Sequence, residues 1–92
     1  MARRCFRWRW EESRGDEHDH WGASTWLFEV DADSRPLRQI EIYDAGPTLR
    51  YGPDHAEDEY GFLSRSRLDE SARWPLGEVT ADEFEAAWTD HP

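Results

Sequence analysis

Three short stretches of this sequence combine residue types that could do chemistry. Asp16 to His20 sets two imidazoles among three carboxylates, the donors that Zn²⁺ or a similar divalent ion requires. Asp16, His18 and His20 are the candidate ligands. Structural metal sites gather donors from separated elements, however, and no second His or Cys pair stands at a recognised spacing, so a solvated loop competes with the metal reading. Asp54 to Gly61 places His55 beside Glu57, Asp58 and Glu59, a possible acid/base pair. No nucleophile motif, phosphate loop or paired-acid spacing accompanies it, which leaves an acidic loop or helix start as the alternative. Arg7, Trp8, Arg9 and Trp10 interleave cations with stacking rings, as single-strand nucleic-acid platforms do. On an extended strand the rings and guanidiniums leave by opposite faces, and the cations are better matched to cross-strand acids such as Glu29 or Glu41.

Charge narrows the partners. The 92 residues carry a formal net charge of -10, although the first ten hold Arg3, Arg4, Arg7 and Arg9 without any acid. A field of that sign repels nucleic acid and anionic membranes and favours a protein partner with a basic surface, a cationic ligand or plain solubility. All basic residues are Arg, whose planar fork matches a carboxylate. The single cysteine, Cys5, forms no internal disulfide. With no apolar leader and no run long enough to span a bilayer, a cytoplasmic location is expected. No cofactor is implied.

The elements that must position these residues are legible from periodicity. Cys5 to Trp10 alternates strictly, with Phe6, Trp8 and Trp10 on one side. Thr25 to Asp31 repeats the pattern, setting Trp26, Phe28 and Val30 inward and Glu29 and Asp31 toward water. Leu37 to Tyr43 has Ile40 and Ile42 on one face and Gln39, Glu41 and Tyr43 on the other. Asp44 to Pro47 reads as a hairpin turn with Gly46 as its positive-φ residue, leading into Thr48 to Tyr51. Gly52 to Ser71 follows neither period for long and leaves room for a short helix. Trp74 to Val79 reads as an edge strand, since Pro75 lacks a donor. A terminal helix follows: Thr80 and Glu83 form a capping box, Val79 and Phe84 a hydrophobic staple, and Phe84, Ala87 and Trp88 an apolar stripe.

These pieces predict a single α+β domain over residues 1-92, an antiparallel sheet of four or five short strands with a C-terminal helix packed on one face. The 6 Trp, 4 Phe and 3 Tyr are expected to form one dry interior in which Trp8, Phe28, Ile42 and Trp88 meet. Arg38 and Glu41, three apart on one strand, face opposite ways, so they do not pair with each other. Arg38 is matched instead to Glu57, Asp58 or Glu59, which would pin the middle loop to the sheet.

From Leu37 onward, Leu37 to Asp44, Leu49 to Tyr51, Glu57 to Leu63 and Glu83 to Trp88 together resemble short bacterial proteins of the actinobacterial type, those of domain-of-unknown-function family 6881. The shared pattern is an Arg-x-aliphatic-Glu-aliphatic strand, a Gly turn and a closing Glu-Phe-Glu-x-x-Trp helix, covering a little over half the chain. No activity comes with the resemblance. It implies structural or binding positions at Arg38, Glu41, Glu59, Tyr60 and Gly61, to which the residues themselves add Arg50 and His55 as candidates for a pocket lined with carboxylates. The leading functional expectation is a non-enzymatic acidic protein that binds a macromolecular partner, in an immunity- or antitoxin-like form if that partner is a basic toxin. The alternative is a small-ligand or metal-binding domain, or a weak enzyme, using His and carboxylates.

Overall fold

A computed structural model describes residues 4-65 and 77-89. Five strands, β1 Arg4–Trp10, β2 Ser24–Val30, β3 Pro36–Tyr43, β4 Thr48–Tyr51 and β5 Gly77–Val79, form one sheet in the order β4-β3-β2-β1-β5. Every neighbouring pair is antiparallel. The helix α1, Ala81–Thr89, follows β5 directly and packs on one face. The architecture is the expected α+β one. Of the predicted edge strand, Gly77 to Val79 pairs with β1, while Trp74 to Leu76 lies outside the described residues, as do Ser66 to Ser71 of the middle segment.

The expectation of one shared interior is overturned by the register. Because side chains alternate along each strand, each β1 ring falls on the same face as its partners across the sheet. One face carries the rows Trp10–Ser24–Tyr43, Trp8–Trp26–Glu41–Leu49 and Phe6–Phe28–Gln39–Tyr51. The other carries Arg9–Thr25–Ile42–Thr48, Arg7–Leu27–Ile40–Arg50 and Cys5–Glu29–Arg38. The helix covers the second face: Phe84 is fully buried against Cys5, Leu27 and Ile40, with Ile42, Val79 and Trp88 around them. Trp8 and Phe28 therefore never meet Ile42 and Trp88. They belong to a separate cluster with Val30, Phe6 and Trp26.

The helix explains a second correction. β2 lies third of five and α1 covers the face that carries Leu27 and Glu29, so Glu29, expected in water, is buried. Arg38 makes this tolerable by donating Nε–H and an Nη2 hydrogen to the two Glu29 oxygens, both at 2.8 Å. The same guanidinium reaches Glu85 of α1 and lies 4.9 Å from the ring centres of both Phe84 and Trp88. Arg38 thus pins the helix rather than the middle loop, and Glu57, Asp58 and Glu59 are not its partners. Arg9 in turn meets Asp44 and Glu11, not Glu29 or Glu41.

The helix start matches its local sequence signal. Glu83 N–H donates to Thr80 Oγ1 at 3.0 Å, the capping bond expected at the helix start. Gly46 departs from expectation: the positive-φ glycines are Gly15 and Gly22. Gly46 is required by proximity, since a Cβ there would stand 2.5 Å from Cγ of Trp21. The turn after β3 is shaped to seat that indole.

Candidate functional site

The face that α1 leaves uncovered holds an open cleft of about 430 Å³, within the roughly 300 to 1,000 Å³ typical of ligand sites. Its apolar wall is built by alternation on the two central strands, which delivers Trp8 and Trp10 from β1 and Trp26 and Phe28 from β2. The three indoles touch: Trp8 and Trp10 are 6.2 Å apart and nearly parallel, while Trp26 stands 5.7 and 6.1 Å from them with its plane turned by 60° and 72°. Trp26 is oriented by its own indole N–H, which donates to Ser24 Oγ at 2.7 Å. Its ring direction is therefore set by a hydrogen bond as well as by packing.

The next strand turns the wall polar. Gln39, Glu41 and Tyr43 project from β3 into the same cleft, and Glu41 is the register partner of Trp26. Glu41 is 3% exposed. Its Oε1 accepts from the Tyr43 hydroxyl at 2.7 Å and its Oε2 from Gln39 Nε2 at 2.8 Å. Burial pushes the Glu41 carboxyl above its ordinary value of 4.5, against the pull of those two hydrogen bonds. The Tyr43 phenol is pushed up to about 12 by burial and by bonding to the carboxylate. Gln39 is used at both ends, donating also to the Phe62 carbonyl at 3.1 Å and accepting from Ser64 N–H at 2.9 Å. That fixes residues 61-64 as the rim.

The far wall comes from the polar stretch before β2. Although Glu11 to His20 is mostly exposed as expected, Arg14 folds inward. Its guanidinium donates to Asp16 at 3.0 Å, to the Tyr43 hydroxyl at 3.1 Å and to the Tyr60 carbonyl at 2.8 Å, lying 5.4 Å from the Trp21 ring centre. His18 stacks on Trp21 at 4.3 Å and meets the edge of Tyr60. Asp16 serves as an acceptor for Arg14 and for the His18 backbone N–H, which together hold its carboxyl below the usual range. His20 meets only the edge of Trp21 among ring contacts. Among the described residues, no three His, Cys, Asp or Glu side chains converge as metal ligands would.

The remaining candidates fall in two places. Arg50 is on the helix face, where Nε and Nη2 donate to the Ala87 carbonyl at 3.2 and 3.0 Å, capping the end of α1. Arg38 is on that face too, so neither joins a pocket with His55. His55 instead stacks on Tyr51 and meets Asp58 at 3.1 Å. Asp58 also accepts from the Tyr51 hydroxyl and from the Tyr60 and Gly61 backbone N–H groups. Burial opposes its charge, yet those donors hold its carboxyl below 3.8. This cluster orders the loop that presents Tyr60 to the cleft; Glu59 stands exposed. Of the sequence candidates, Asp16, Glu41, Tyr60 and Gly61 line the cleft itself, together with Trp8 and Trp10 of the basic-aromatic stretch. Arg14, Gln39, Tyr43 and Trp26 were missed as site residues. The signal for Gln39, Tyr43 and Trp26 was present in the face they share with Glu41, once the strands are placed in register.

Among the described residues, no helix is long and apolar enough to cross a membrane. The chain matches no family model, no curated protein and no solved structure.

Proposed function

We propose that this chain is a recognition protein that binds a basic protein partner through the Trp-lined cleft. The observation that carries the reading is the placement of three mutually touching indoles on the sheet face that the helix does not cover, with a buried carboxylate next in the row. Clusters of indoles beside convergent polar groups are the anatomy of binding hot spots. A net charge of -10 favours encounter with a basic partner. The titratable groups of the cleft are engaged with one another, Tyr43 with Glu41 and Arg14 with Asp16, which suits recognition better than turnover. A neutraliser of a basic toxin would be one such protein, and a neighbouring toxin-like reading frame would support that form. The cleft volume gives a second reading, a free small organic ligand.

Indole N–H resonances provide the test. Titrating the protein with a hexa-arginine peptide should shift the Trp10 and Trp26 signals, with the effect weakening as salt rises; a hexa-glutamate peptide should leave them alone. If millimolar hexa-arginine shifts only resonances remote from these indoles, or none, the reading is wrong.

A further inference from the structure

We infer that the cleft selects a guanidinium group, the side chain of an arginine on the partner, and that Glu41 is its counter-ion. The inference rests on the binding role just proposed and gives that site its specificity.

Among the described residues Arg14 is the cation that lines the cleft; it pairs directly with Asp16 at 3.0 Å and reaches Glu41 only across the Tyr43 hydroxyl, so its charge acts on that carboxylate at longer range without forming a pair with it. Glu41 receives its two hydrogen bonds from neutral donors, the Tyr43 hydroxyl and the Gln39 amide. Among the described residues no Arg or His forms an ion pair with it. A carboxylate that is 3% exposed and bonded only to neutral groups carries a desolvation cost that a cation would offset. Each of its oxygens accepts one of these bonds, which leaves one lone pair on each. Two oxygens of one carboxylate, each with capacity for a further bond, suit the fork of a guanidinium, whereas an ammonium is a point charge that uses one at a time.

The apolar wall makes the same selection. Trp26 is the cross-strand neighbour of Glu41, so a group paired with Glu41 runs along an indole. A guanidinium is flat, weakly hydrated and stacks on such a ring, while an ammonium keeps its water. The chain itself shows that its folding rules build this arrangement. On the opposite face Arg38 sits 4.9 Å from the ring centres of Phe84 and Trp88 and forks onto Glu29 at 2.8 Å. Aromatic rings and a buried carboxylate meet at Glu41 as well, and there the guanidinium is supplied from outside.

The test compares three peptides that differ at one residue: a short capped glycine-serine peptide with a central arginine, lysine or citrulline, the last keeping the shape of arginine without its charge. Binding to the full chain is followed by Trp fluorescence and by indole N–H shifts. The arginine peptide should bind at least roughly tenfold more tightly than either of the others, because the lost interaction is a charge-assisted pair. Glu41→Gln should reduce arginine-peptide affinity by a similar factor and leave citrulline-peptide affinity unchanged. The citrulline comparison uses the unmodified protein, so it stands even if the variant folds poorly. Equal affinities for arginine and citrulline, with both abolished by Trp26→Ala, would overturn the role of Glu41 while leaving the cleft as the binding site. Failure of every peptide to perturb Trp10 or Trp26 overturns the cleft reading as well. Binding of methylguanidinium as tight as that of the arginine peptide would overturn the protein partner in favour of a free organic cation.

Discussion

Arg38 and Glu41 stand three residues apart on β3 and look out on opposite faces of the sheet, and the two surroundings share more than they differ. Both contain a buried carboxylate, Glu29 in one and Glu41 in the other, and both set aromatic rings beside it. On the helix face the chain supplies its own guanidinium, and the result is a structural clamp joining β2, β3 and α1. On the cleft face the carboxylate is met by a hydroxyl and an amide. A buried charge with a cation is a strut; a buried charge with neutral donors is a cost held in reserve, recoverable when something positive arrives. Structural and binding roles are thus separated by which partner completes the site rather than by residue type.

The largest effect is expected where the pair is already complete. Removing Arg38 takes the forked guanidinium away from buried Glu29 and breaks the tie from the sheet to Glu85 of the helix. Arg38→Ala should therefore cost about 3 to 5 kcal/mol in urea unfolding at neutral pH. Most of that loss should be recovered by adding Glu29→Gln, because the uncompensated charge is the larger part of the cost. A loss below about 1 kcal/mol would show that the clamp behaves as a surface ion pair, and the contrast between the faces would then fail.

How much of this was legible in the sequence follows from what alternation can and cannot say. Period two assigns Trp8, Phe28, Glu41 and Ile42 to sides of their own strands, and those assignments are correct. It does not say which sides of different strands coincide; that depends on register. With β1 and β2 paired Trp8 to Trp26, and β2 and β3 paired Trp26 to Glu41, the rings and the carboxylate fall together, and Ile42 falls away from Trp8. Ring count alone invites a single core, and the separation of Phe28 from Trp88 was lost for that reason. Glu29 reads as wet from its own strand alone; the face it shares with Leu27 is the one that α1 covers, and alternation within β2 does not say where the helix lands. The C-terminal helix was readable from local chemistry, since Thr80, Glu83 and Phe84 act within one turn. Arg14 was beyond reach, as its partners Tyr43 and Tyr60 lie 29 and 46 residues away.

A middle-sized effect sharpens the comparison from the cleft side. Glu41→Gln replaces a buried charge with an amide of the same shape, so at pH 4.5 stability should change by no more than about 1 kcal/mol, the scale of one rearranged hydrogen bond. The sign of the pH dependence is distinctive. Glu41 has a folded-state value above its ordinary 4.5, so its protonated form is favoured by folding. That contribution is present below 4.5 and is lost as pH rises through the folded value. The variant should therefore gain on the unmodified protein between pH 4.5 and neutrality. Asp16, Asp44, Asp58 and Glu78 are all held below their ordinary values, and their contributions are lost toward acid. Asp58 also repels Glu41, so the variant relieves it and its change acts in the same direction, while the others are common to both proteins and cancel in the difference. A difference curve that is flat, or that favours the unmodified protein at neutral pH, would mean that Glu41 already has an effective counter-charge.

The smallest effect is expected at a third copy of the same geometry. Arg4 forks onto Glu78 with two bonds of 3.1 Å and lies 4.9 Å from the Phe6 ring centre. In contacts alone it repeats the Arg38 clamp. It differs in burial, since the two side chains are 61% and 54% exposed, so water screens the pair and both charges are already solvated when it breaks. Arg4→Ala should give no resolvable change in urea midpoint, and any small shift should vanish at 1 M salt. If Arg4→Ala instead rivalled Arg38→Ala, fork and ring geometry would be sufficient by themselves. Burial of the carboxylate would then stop being the variable that separates the two faces, and the reason for assigning a cation to Glu41 would go with it.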